Sequence, residues 1–122
     1  MANKATLTFG LAPDIIADFH RVFMHYPEIN RVLIFGSRAK GINKDSSDID
    51  MAVIAPTMDH ETFNHLWRAI DDLPLIFKVD LVHWDKLTNA RFKNKIQMEG
   101  RLFYSREQQS KGGNADSFQT SC

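Results

Sequence analysis

The chain has 122 residues, 43% of them hydrophobic and 25% charged, and its fifteen basic residues balance fifteen acidic ones. That length predicts one domain, and zero net charge argues against a broad nucleic-acid footprint, which needs a basic excess. The single cysteine, Cys122, excludes a disulfide framework or a cysteine-built metal site within the chain; no run of membrane length and no apolar leader is present, so a cytoplasmic location is expected.

The first predicted helix follows GLAPD. Pro13 suits a first helical turn, Asp14 favours the positive end of the helix dipole, and Ile15, Ile16, Phe19, Val22 and Phe23 recur on one face. Pro27 ends it, because the residue before a proline resists helix. The run RVLIF predicts a strand. A turn, GSRAKGINKDSS, leads into a second strand over residues 48–55. Its period of two puts Ile49, Met51, Val53 and Ala55 on one face and Asp48, Asp50 and Ala52 on the other.

MDHETFNHLWRAIDDL predicts a second helix with Phe63, Leu66, Trp67 and Ile70 as its buried stripe. Its histidines, His60 and His65, are spaced off a common face and do not make a zinc-binding helix. A third strand is expected over residues 76–84, with Asp80 in its middle, and a third helix over residues 85–100, with Gly100 as its cap. Residues 101–104 predict a short closing strand. The polar, glycine-containing segment 105–122 predicts a disordered tail. The expected fold is α/β (α+β), a small mixed sheet flanked by helices in one domain over residues 1–104.

The chemistry concentrates in FGSRAKGINKDSSDID. Asp48 and Asp50 share a strand face, and two carboxylates that close repel each other unless a cation sits between them. Magnesium fits: it takes oxygen ligands and is held by one or two carboxylates plus substrate phosphates. Asp80 breaks the apolar pattern of its strand, and rule-breaking positions are disproportionately functional. If the two strands pair, three carboxylates share one face and can hold two ions about 3.5–4 Å apart. One ion would activate an attacking hydroxyl and the other would neutralise a leaving pyrophosphate. Asp80 would act as general base or as a further ligand. In the turn, Gly36 lets a ligand approach the backbone, Ser37 offers a hydroxyl and an amide, and Arg38 and Lys40 offer charge to a triphosphate.

Gly36-Ser37, ten further residues, Asp48-Ile49-Asp50 and then a strand acid at Asp80 resemble the DNA polymerase β-type nucleotidyltransferase superfamily. More narrowly, the chain resembles the minimal nucleotidyltransferases, the MntA-type antitoxins paired with HEPN-domain toxins. The resemblance spans residues 11–104 and includes RVLIFGSRAKG, SSDIDMAVI and KVDLVHWDKL. It implies a polymerase β-like fold. It also implies that Gly36, Ser37, Arg38 and Lys40 bind the nucleotide and that Asp48, Asp50 and Asp80 form the magnesium-binding catalytic triad. The implied reaction moves AMP from ATP to a tyrosine of a HEPN-type RNase toxin (an AMPylation) and so blocks that toxin. Few residues remain for an acceptor-binding domain, so a partner protein is expected to bring the acceptor. Neither a membrane nor a direct nucleic-acid partner is expected. Two other readings stay open: a non-catalytic antitoxin that acts by binding alone, and a transferase for a small molecule such as an aminoglycoside.

Overall fold

The computed structural model describes residues 9–41, 48–75 and 77–106. Helix α1 (Pro13–Met24) opens with proline in its first turn and Asp14 beside it, and closes with Arg21 in its last turn. Each charge stands at the dipole end that favours it. Strand β1 (Arg31–Phe35) follows, then a short helix α2 (Ser37–Lys40) and strand β2 (Ile49–Ile54). Helix α3 (His60–Asp71) is capped by Asp59, whose carboxylate accepts from the Thr62 amide at 2.8 Å. Strand β3 (Val79–His83) runs into a single 3-10 turn (Trp84–Lys86), helix α4 (Ala90–Glu99) and strand β4 (Arg101–Ser105).

The four strands form one sheet in the order β3-β2-β1-β4. β1 is antiparallel to both of its neighbours, whereas β2 and β3 are parallel and joined through α3. The sheet is therefore mixed, as the chain order of elements predicts.

Each strand's alternation sorts its side chains between two cores. Val32, Ile34, Ile49, Met51, Val53, Val79 and Leu81 join Phe19 and Phe23 of α1 and Phe63, Leu66 and Ile70 of α3 in the larger one. Burying a phenylalanine such as Phe19 contributes about 1.5–3 kcal/mol. The opposite face carries a smaller cluster of Leu33, Ala52, Ile54 and Ile96, bordered by Phe35, Val82, Trp84, Leu87 and Phe92. Helix α4 covers this face. Lys93 lays its ammonium 4.2 Å from the centre of the Trp84 ring, while the Trp84 indole N–H donates to the Lys93 carbonyl at 3.3 Å.

Several element boundaries differ from the sequence-based expectation, among them β2 and β3, which are shorter than residues 48–55 and 76–84. Residues 85–89 do not belong to α4, because Asp85 spends its carboxylate on the Ala55 amide at 2.7 Å and Asn89 caps the helix by accepting from the Phe92 amide. Gly100 does end α4, in an extended rather than left-handed conformation. The reason for glycine there is space: a Cβ would lie 2.5 Å from the Ile96 carbonyl oxygen and 3.3 Å from Leu33. The closing strand runs to Ser105, which is buried opposite Arg31, so the first residue assigned to the tail belongs to the sheet. Trp67, expected in the buried stripe of α3, packs only half-buried against the core. The remaining tail, residues 107–122, lies outside the described residues.

Candidate active site

Three chain segments meet at one end of the sheet. β1 finishes there at Phe35, β2 begins there at Ile49, and β3 begins there at Val79. The register places Phe35, Asp50 and Asp80 on one rung across the three strands. Asp50 and Asp80 share the face of Ala52 and Val82, which is the face that α4 covers further along. Asp48 precedes the strand and is exposed, and the Ile49 amide beside it bonds the Lys78 carbonyl at 2.9 Å. All three predicted acids therefore occupy the same sheet end.

Their charges are felt at Asp50. Burial pushes its carboxyl above the ordinary carboxylate range, and the negative charges of Asp80 and then Asp48 push it the same way. Asp80 is half-exposed, with its carboxylate 3.9 Å from the exposed Lys78 ammonium. That loose contact is a surface ion pair of little energetic weight. An all-oxygen, like-charged donor set suits a hard divalent cation. As the side chains stand, no three acidic, histidine or cysteine residues among the described residues form a ready ligand cluster. The fold places Asp50 and Asp80 side by side on one face, with Asp48 just before the strand.

The turn after β1 leans onto this face. Gly36 has φ +80°, and a Cβ there would stand 2.6 Å from Asp50 Oδ2. Glycine is thus required twice, by its left-handed backbone and by the carboxylate above it. Ser37 opens α2 half-exposed, and the Gly41 amide closes the turn back onto the Arg38 and Ser37 carbonyls. Lys40 is exposed and pairs with Glu99 at the end of α4 at 3.3 Å.

Arg38, expected to offer charge to a triphosphate, is buried. Its side chain is 1% exposed, its Nη1 donates to the Phe9 carbonyl at 2.9 Å, and its guanidinium lies 5.0 Å from the centre of the Phe77 ring. Phe77 packs against the larger core, on the sheet face opposite the carboxylates. Arg38 is the second residue of a one-turn helix, and that turn directs its side chain inward.

One feature of the site escaped the sequence reading. Phe35, partner of Asp50 in the ladder, is half-buried and meets Phe92 edge-on at 5.9 Å. Counting RVLIF and DIDMAV by twos in antiparallel register would place it there. This gives the acidic sheet end an aromatic wall.

An acidic sheet end under a glycine turn, with a lysine at its rim, is equipment for handling a polyphosphate. The chain belongs to the polymerase beta nucleotidyltransferase family, whose model matches residues 18–109. No curated protein sequence matches it. Among solved structures it is similar to a chain of a toxin–antitoxin assembly with AMP-PNP, at 22% identity and a TM-score of 0.61 over 79% of this chain and 77% of that one. It is also similar to a chain of a mutant MntA-HpeT toxin–antitoxin assembly, at 25% identity and a TM-score of 0.52 over 83% and 78% of the two chains. A protein of Sulfolobus solfataricus assigned as a nucleotidyltransferase matches at 22% identity and 0.51 over 76% and 78%. These likenesses agree with the family on the fold.

Proposed function

We propose that this nucleotidyltransferase moves AMP from ATP to a tyrosine hydroxyl of a cognate HEPN-type RNase toxin, and that it thereby acts as an antitoxin. The observation that carries the reading is the rung Phe35–Asp50–Asp80, with the Gly36 turn close against its Asp50 carboxylate. The likeness to toxin–antitoxin assemblies, one of them with AMP-PNP, supports the choice of partner and nucleotide.

In this mechanism Asp48 and Asp50 would hold magnesium, with Asp80 as a further ligand or as the general base. When bound, the ion supplies positive charge to the phosphates and acidity to the acceptor hydroxyl. Ser37 and the amides of its turn receive the triphosphate, and Lys40 leaves Glu99 to meet its outer oxygens. Asp80, half-exposed on its strand, would accept the proton of the acceptor hydroxyl when it does not serve as a ligand. The acceptor oxygen then forms its bond to the α-phosphorus as the bond to pyrophosphate breaks. Asp50, pinned beneath Gly36, keeps the face charged and oriented. Phe35 and Phe92, edge to face, offer an apolar surface for the acceptor ring.

The test is the intact mass of the partner after co-expression with the native chain or with its Asp48→Ala/Asp50→Ala form. The expected result is a gain in whole AMP units with the native chain alone. A partner left unmodified yet bound and neutralised by both forms would overturn the catalytic reading in favour of sequestration.

A further inference from the structure

We infer that Arg38 is a positioning residue: a strut beneath the sheet that ties the Gly36-Ser37 turn to the strand bearing Asp80. A buried guanidinium is costly to desolvate, and an apolar side chain would fill the same space more cheaply. Its described contacts show where that cost is directed. The guanidinium reaches from α2 to the ring of Phe77, three residues ahead of Asp80, and bonds the carbonyl of Phe9. Phe9 itself holds a left-handed backbone, φ 58°, rare for an aromatic residue, and its ring packs toward Phe103 at 6.2 Å.

Topology makes this contact matter. The turn carrying Ser37 leaves β1, Asp80 lies on β3, and β2 separates them. On the acidic face Asp50 and Asp80 add like charge across that gap. On the opposite face Arg38 crosses it, from the end of β1 to the entry of β3. The residue next to Ser37 thus fixes the distance between the phosphate-facing turn and the third acid without touching either ligand. Arginine suits the task because its planar fork can stack on a ring and donate in plane together, which lysine cannot do.

The inference rests on the transfer reading for its catalytic consequence, and the experiment separates the two. Hydrogen exchange is followed in the full chain for the native protein, Arg38→Lys and Phe77→Leu, alongside AMP-PNP binding, kcat and KM. Phe77→Leu keeps the Arg38 bond to Phe9 and serves if Arg38→Lys folds poorly. The expected result is faster exchange in both segments 36–41 and 79–83, with kcat falling about tenfold to a hundredfold while nucleotide affinity falls less. Native exchange in segment 79–83 in both variants, with kcat unchanged in the folded fraction, would overturn it and leave Arg38 as core packing. Absence of turnover in the native chain would sink the transfer reading alone, because the exchange pattern still decides the strut.

Discussion

Asp50 and Asp80 are direct partners across the parallel β2–β3 pair, and both stand on the sheet face that α4 leaves open at that end. Burial and the neighbouring negative charges raise the Asp50 carboxyl above its ordinary value of 3.8. The folded chain therefore holds that proton more tightly than the unfolded chain. By linkage, this site contributes most stability below pH 3.8, and the contribution is lost as pH rises through the raised folded value. Asp50→Asn should remove that decline, so the variant melts above the native protein at neutral pH while transfer is abolished. Melting curves across the acid-to-neutral range check this.

A divalent cation should reverse the same repulsion. Magnesium at a hundredfold excess over its Kd should stabilise the native chain by about 2.7 kcal/mol, and a chelator should return it to its starting melting temperature. Asp48→Asn/Asp50→Asn should show no such rise. The readout is thermal melting with and without magnesium, independent of any activity.

Gly36→Ala should be more damaging than a surface glycine change. The new methyl meets Asp50 Oδ2 in a backbone that alanine adopts only under strain. A loss of about 1–3 kcal/mol is expected, together with loss of transfer. Chemical denaturation and the partner mass assay measure the two effects.

The exposed pair Lys40–Glu99 separates electrostatics from catalysis. Either Lys40→Gln or Glu99→Gln should cost less than about 1 kcal/mol of stability. Lys40→Gln should raise KM for ATP roughly tenfold, the worth of one charge-assisted hydrogen bond, whereas Glu99→Gln should not raise it. Steady-state kinetics with the partner as acceptor decide between them.

Asp85 offers a purely structural contrast. Its carboxylate accepts the amide of the fully buried Ala55, and the neighbouring His83 donates to the Ala55 carbonyl at 2.8 Å. Asp85→Ala leaves that amide unsatisfied and should destabilise the chain by about 1–3 kcal/mol. KM for ATP should stay unchanged, because Asp85 lies beyond the opposite end of β2 from Asp50.

Much of this architecture was legible because the signals are local. Period-two alternation put Ile49, Met51 and Val53 in the main core and Asp50 on the other face. The proline stops, the apolar stripe of α1 and the β-rich RVLIF run each depend on neighbours within a few residues. The third acid, Asp80, was conspicuous because it interrupts an apolar strand.

The rest depends on contacts between residues far apart in the chain. Ala52 and Ile54 are buried on the acidic face only because α4 folds back over it, and α4 starts at Ala90 only because Asp85 is already bonded to Ala55. The rung that sets Asp50 opposite Asp80 and beside Phe35 is a matter of strand register, decided when whole faces are packed. Arg38 shows the division most sharply. Its sequence neighbours advertise a phosphate ligand, yet one helical turn and the ring of Phe77 draw its charge under the sheet. Residue type and spacing determined which chemical groups this chain carries, and tertiary packing decided that Asp50 and Asp80 meet on one rung while Arg38 is buried against Phe77.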